Sequence, residues 1–383
     1  MSVTAARGFR AAGIAAGIKA SGAPDLALVV NDGPSDIAAA VFTSNRVKAA
    51  PVLWTQQVIA DQRLRAVVLN SGGANACTGP DGFADTHATA EAVAAALQIG
   101  AGEVAVCSTG LIGERLPMDV LLVGIGPLVA AAHAAGGAGA ADAIRTTDTV
   151  AKQAARTVDG WTVGGMAKGA GMLAPGLATM LSVITTDAEI DAFTADQTLR
   201  SASRQTFDRV DADGCMSTND TVVLLASGAS GVAPPPADFA DALRAVCADL
   251  AAQLLADAEG ATKEVRIEVV GAADEEDAVE VGRSIARNNL LKCALFGNDP
   301  NWGRVLAAIG TTGATFDPDR LDVAMNGVQI CRGGAAGDDR GKVDLTGRAI
   351  HILVDLDAGD HTATIWTNDL SHAYVEENSA YAS

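Results

Sequence analysis

The sequence predicts a mixed α+β fold in two lobes. Three observations lead there. Short apolar runs with strand character alternate with helix-period stretches in both halves, and several hairpins gather near the end. The length, 383 residues, exceeds what one ordinary core fills. The composition is 49% hydrophobic and 19% charged but only 4% aromatic, so the core must be packed from small aliphatic side chains.

Along the chain, Gly8–Lys19 reads as a Gly/Ala-rich lead-in. Leu26–Asn31, Ala39–Thr43 and Ala66–Asn70 read as buried strands. The third enters Ser71–Gly79, a loop of small residues and amides. No GKS or GKT is present and the GxGxxG spacing is wrong, which argues against a nucleotide loop. Phe83–Leu97 is an Ala-rich helix after an Asp-Gly turn. Glu103–Cys107 is a strand that opens into Ser108-Thr109-Gly110. Such an end presents backbone N–H groups and a hydroxyl; it suits an ordinary turn and equally an oxyanion site. Two helices are expected next, Met118–Ala135 and Ala140–Ala155, with Thr146–Thr149 inside the second.

Thr162–Lys168 reads as a strand and delivers the central stretch, Lys168–Leu181 (KGAGMLAPGLATML). By composition this is a Gly/Pro-rich turn before the strand Met180–Thr186. Ile190–Arg204 is an amphipathic helix. The polar loop Val210–Thr221 starts like a calcium loop, but Val222 stands where the twelfth-position Glu belongs. The strand Val222–Ala226 follows it. Phe239, Leu243, Val246, Leu250 and Leu254 form the clearest helical core stripe. That helix ends near Glu259. Next come a strand from Val265, a helix over Ser284–Leu295 and a compact loop, Gly297–Arg304. Strands at Asp322–Met325, Val328–Cys331, His351–Leu356 and Thr362–Thr367 follow, and Val375–Ser383 reads as a dispensable terminus.

A net charge of −19 repels nucleic acid and anionic membrane surfaces. No signal peptide or membrane-length apolar run is present, so a cytoplasmic location is expected. The six cysteines form no CxxC pair and read as reduced thiols. The five histidines form no HExxH, so neither metal nor cofactor is expected. GxSxG and kinase motifs are absent. An enzyme made of these residues needs a nucleophile activated without a histidine. A threonine at a chain N-terminus is one, because its α-amine, with a pKa of about 7.7–8.0, can act as its base. Thr179 has such an amine only if the Ala178–Thr179 bond is cut.

Lys168–Thr186 (KGAGMLAPGLATMLSVITT) resembles the signature of the ornithine acetyltransferase family, also called glutamate N-acetyltransferase. Matching blocks span the chain: Ala40–Val52, Asn70–Gly79, Cys107–Met118, Thr146–Thr149, Ser217–Leu225 (STNDTVVLL), Gly297–Arg304 and Asn378-x-x-Tyr381-x-Ser383. The resemblance implies a self-cleaving precursor with a four-layer αββα arrangement of mixed sheets, like N-terminal-nucleophile enzymes. The α chain would be 1–178 and the β chain 179–383, assembling as a tetramer of two α and two β chains. Thr179 would be the nucleophile in a ping-pong transfer of acetyl from N2-acetylornithine to glutamate, with Thr109 and Gly110 meeting the oxyanion. Thr146, Lys168, Thr179, Glu259, Asn378 and Ser383 would contact substrate. A bifunctional member would also take acetyl-CoA, as a substrate. A hydrolase of the same fold and a non-catalytic binding protein are the competing readings. Gly73, Cys215-Met216 and Arg287–Asn289 depart from the family's commonest pattern.

Overall fold

The computed structural model describes residues 2–174 and 180–380. The Ala178–Thr179 bond and Ser383 lie outside them. The chain divides into two compact units, Met1–Asp208 with Cys215–Asp257, and Arg209–Gly214 with Ala258–Ala382. Among the described residues no helix is long and apolar enough to cross a membrane.

In the first unit the strands are β1 (Phe9–Ile14), β2 (Leu26–Asn31), β3 (Ile37–Phe42), β4 (Ala66–Ser71), β5 (Val104–Thr109), β6 (Lys152–Val158), β7 (Trp161–Lys168), β8 (Leu181–Thr186) and β9 (Thr221–Ala226). The helices are α1 (Ala50–Val58), α2 (Gly79–Leu97), α3 (Met118–Ala131), α4 (Gly137–Ala143), α5 (Ala192–Gln205) and α6 (Pro236–Ala256). They make two mixed sheets, one ordered β1-β2-β4-β5 and one ordered β3-β9-β8-β7-β6.

Because side chains alternate across a strand, each strand can serve two cores. Ala27, Val29, Val67, Leu69 and Cys107 of the first sheet share a buried cluster with Met166, Leu181, Val183, Val223 and Leu225 of the second. The two sheets therefore face each other. The alternate residues Leu28, Val30, Val68 and Val106 pack outward with Val93 of α2 and Leu121, Ile125 and Leu128 of α3. Helices α5 and α6 cover the outer face of the second sheet. The layers run α, β, β, α, as expected. Edge strand β5 is protected by α1, whose Trp54 Nε1 and Thr55 Oγ1 donate to the carbonyls of Val104 and Val106 at 3.0 and 2.8 Å.

The second unit holds β10 (Glu264–Ala272), β11 (Asp322–Met325), β12 (Val328–Arg332), β13 (Ala335–Ala336), β14 (Ala349–Asp355) and β15 (His361–Asn368). They form one sheet ordered β13-β12-β11-β14-β10-β15. Its helices are α7 (Glu275–Ala286), α8 (Asn289–Phe296), α9 (Trp302–Ile309) and α10 (His372–Ala380).

Four local expectations are corrected. Gly8–Lys19 contains the strand β1. The expected helix Ala140–Ala155 stops at Ala143, and Lys152 onward is strand β6. Asp159 and Gly160, with φ of 42° and 92°, close a tight β6–β7 hairpin, whose pairing overrides the helical preference of the Ala-rich segment. The single helix expected over Ser284–Leu295 is two helices, because Asn288 accepts from Leu291 N at 2.9 Å and caps a new one. The compact loop Gly297–Arg304 gives way to α9 at Trp302, capped by Asn301. Of the terminus expected to be dispensable, Val375–Ala380 belong to helix α10.

Leu250 of α6 is fully buried on β7, where a Cβ added to Gly165 would stand 3.0 Å from it. Leu250→Ala should lower the unfolding free energy by about 2–5 kcal/mol. Urea denaturation checks this, with the midpoint falling at constant slope.

Candidate active site

Strand register decides what meets at the end of the second sheet. Lys168 closes β7 opposite Leu181 of the antiparallel β8, and Leu181 lies beside Thr221 of the parallel β9. Thr109 ends β5 of the facing sheet. Lys168 is buried, and its ammonium donates to Thr146 Oγ1 at 2.7 Å and to Thr109 Oγ1 at 3.2 Å. Three of the expected site residues are thus gathered around one amine. A hydroxyl that accepts from an ammonium keeps its own proton to donate, and is the stronger donor for it.

Gly110 follows with φ +135°, and a Cβ there would lie 2.6 Å from Gly73 N. Only glycine fits. The close approach is sealed by Gly72 N and Gly73 N, both donating to Thr109 O at 2.9 and 3.1 Å. Gly73 is therefore part of the turn wall.

Beneath Lys168 lies a buried carboxylate, Asp148. Its oxygens accept from Lys152 Nζ at 2.7 Å, Gly169 N at 2.6 Å and Thr146 N at 3.0 Å, and Lys168 Nζ stands 4.0 Å away. Burial alone pushes the Asp148 pKa up; Lys168, Lys152 and the Gly169 N–H outweigh it and hold the group well below the usual carboxylate range. Lys152 is tied in turn to Asp257 at 2.6 Å. The chain downstream of Lys168 is pinned at Gly169 by Asp148, at Leu173 by a bridge to Met216, and at Met180 by Asp220.

Two further expected residues meet in the second unit. Asn378 Nδ2 on α10 donates to the buried Glu259 Oε2 at 3.0 Å. Gly260 permits this: its φ is +62°, and a Cβ would lie 2.2 Å from Tyr374 N. Thr179, Ala178 and Ser383 fall outside the described residues.

The chain matches the ArgJ family over residues 10–383. The chain belongs to that family. It is 68% identical, over the full length of both chains, to the arginine biosynthesis bifunctional protein ArgJ of Streptomyces avermitilis. Among solved structures it is similar to ornithine acetyltransferase from Mycobacterium tuberculosis complexed with ornithine. That match is 69% identical over 47% of this chain and 96% of the other, with a TM-score of 0.45. It is also similar to ArgJ from Bacillus halodurans, at 35% identity over 52% of this chain and 98% of that one, with a TM-score of 0.50. As an ArgJ enzyme it is an acyltransferase of arginine biosynthesis, moving acetyl from N2-acetylornithine to glutamate. The family's bifunctional name also covers amino-acid N-acetylation.

Residue reading missed Asp148 as the carboxylate shared by Lys168 and Lys152, and Asn219 and Asp220 as anchors. Asp148, Asn219 and Asp220 all lie in blocks that resemble the family, which does not give their partners. Lys19 was missed too. Its ammonium donates to Pro24 O and Arg145 O at 3.0 and 2.6 Å, and burial, opposed by Asp25, lowers its pKa with Lys168 nearby.

Asp148→Asn should cost about 3–5 kcal/mol of stability at neutral pH, since it removes the carboxylate between two buried ammonium groups and leaves Lys152 with Asp257. The folded pKa lies below the unfolded one. The wild-type contribution is therefore complete above about pH 4 and is lost as pH falls toward the folded value. Denaturation of wild type and variant across acid pH should show the difference shrinking.

Proposed function

We propose that this ArgJ chain cuts itself between Ala178 and Thr179 and then works through an acetyl-Thr179 ester. The observation that carries this is the buried Lys168 ammonium, which gathers the Thr109 and Thr146 hydroxyls where β7 runs toward Thr179. Thr179 Oγ adds to the acetyl carbon of N2-acetylornithine, and the α-amine takes the hydroxyl proton. The Thr109 hydroxyl and the Gly110 backbone meet the oxyanion, a donor of this kind being worth about 3–4 kcal/mol. The C–N bond breaks as the amine returns its proton to ornithine. Glutamate's amine then attacks the ester, completing a ping-pong cycle.

Thr146, Lys168, Glu259, Asn378 and Ser383 bind substrate in this reading. Lys168 suits a carboxylate and Glu259 an ammonium. Acetyl-CoA serves as a further acetyl donor in the bifunctional role, and no metal or cofactor takes part. The products of the cut, 1–178 and 179–383, stay together and assemble as two α and two β chains in the cytoplasm. Cleavage is supported by the Bacillus halodurans ArgJ chain, which matches along 98% of its own length yet spans 52% of this one.

Thr179→Ala should remain a single band on a denaturing gel and transfer no acetyl, whereas wild type yields a fragment whose N-terminus reads Thr-Met-Leu. Ornithine release from N2-acetylornithine should require glutamate beyond the first turnover. Continued release without glutamate favours the hydrolase.

A further inference from the structure

The block Ser217–Leu225 supplies two adjacent anchors that the transfer reaction does not use. Asn219 Nδ2 donates to Ala74 O at 2.6 Å and to Ser108 O at 2.8 Å, which fixes the turn carrying Thr109 and Gly110. Asp220 stands on the other side. Its Oδ1 accepts from Met180 N at 3.0 Å, and Thr221 N donates to Met180 O at 3.1 Å, so residue 180 is held at both ends of its backbone. One dipeptide thus ties the oxyanion turn to the start of β8.

Asp220 has no exposed surface, and among the described residues its second oxygen, Oδ2, has no hydrogen-bond partner. A buried polar atom left open is rare enough to call for a role. The nitrogen of Met180, bonded to Oδ1, is three covalent bonds from the nitrogen of residue 179. That second nitrogen is the one that must leave when the Ala178–Thr179 bond breaks.

We propose that Asp220 is the proton donor of maturation, delivering a proton from Oδ2 to the departing nitrogen of Thr179. The proposal rests on the cleavage reading above. The Thr179 hydroxyl oxygen bonds to the Ala178 carbonyl carbon, and the C–N bond of the peptide breaks. The nitrogen takes the Asp220 proton and becomes an amine. The hydroxyl proton of Thr179 returns to the Asp220 carboxylate, so one proton has moved from oxygen to nitrogen and the product is an ester. Water hydrolyses that ester, releasing the Ala178 carboxylate and restoring the hydroxyl.

The surroundings keep the donor loaded. Burial raises the Asp220 carboxyl well above the usual range, despite hydrogen bonds from Met180 and Ser217 and the attraction of Lys168, and Asp208 adds repulsion. A carboxylic acid kept neutral in this way can donate at neutral pH.

The test uses full-length chains made by cell-free synthesis and followed on denaturing gels. Asp220→Asn keeps the shape and the acceptor for Met180 N but has no acidic proton. It should be cut about 10²-fold more slowly than wild type or worse, while melting within a few degrees of the Thr179→Ala precursor. Asp220→Glu should recover part of the rate. Cleavage of Asp220→Asn at the wild-type rate overturns the proposal and leaves the cleavage reading intact. A wild-type chain that stays whole overturns both. If Asp220→Asn melts early, the wild-type precursor decides. Its cleavage should slow as pH rises through the ionisation of Asp220, with Lys168 and Asp208 the charged groups facing it. A rate that is flat or rises with alkalinity overturns the proposal.

Discussion

An ammonium group in a protein core must find oxygens, because its desolvation costs several kcal/mol even after relaxation. Lys168 sets that requirement here. Two threonine hydroxyls and the carboxylate of Asp148 meet it. Asp148 is balanced in turn by Lys152, and Lys152 by Asp257. Two cations and two carboxylates thus close on themselves with no net charge. The segments that supply them are the end of β5, the loop after α4, the start of β6, the end of β7 and the end of α6. A shift in any of them would lengthen a contact to one of the two buried ammonium groups.

Small residues make that arrangement reachable. A Cβ on Gly13 would lie 2.0 Å from Gly139 O, and one on Gly164 would lie 2.4 Å from Ser2 O. Backbones approach here to distances that side chains forbid. Alanine and valine then fill what remains between the sheets. Trp161 packs with Phe239 of α6 at 5.8 Å on the outer face of the second sheet.

Most strands were legible because they are short apolar runs bounded by turn residues, as at Leu26–Asn31 and Thr221–Ala226. Helix α6 was legible from its stripe. Strand β6 was not, since an Ala-rich run with Lys, Gln and Arg carries helical preference and only the Asp159-Gly160 turn betrays the hairpin. The break between α7 and α8 hid in one capping side chain, Asn288. At the site, Lys168, Thr109, Gly110 and Thr146 became visible through the family signature, and geometry then brought them together. Asp148 stayed hidden because its role is three-dimensional. Nothing in a sequence tells a carboxylate that neutralises two buried lysines from one that faces water. Glu259 and Asn378 were linked by resemblance alone, being 119 positions apart, and their contact depends on a glycine that lets α10 approach.

The strand order β3-β9-β8-β7-β6 has a further meaning for a chain severed ahead of β8. The upstream piece owns β3 at one edge and β6 with β7 at the other. The downstream piece owns β8 and β9 in the middle. Neither fragment can close this sheet by itself, for each would leave unpaired backbone where the other belongs. Severed, the sheet becomes an interlocked complex of two polypeptides. Its reassembly from denaturant is a second-order process that slows on dilution, while the uncut chain refolds at a rate independent of concentration. Such a cut would make the native state hard to regain, and the persistence of a cut protein would rest on its unfolding barrier more than on equilibrium.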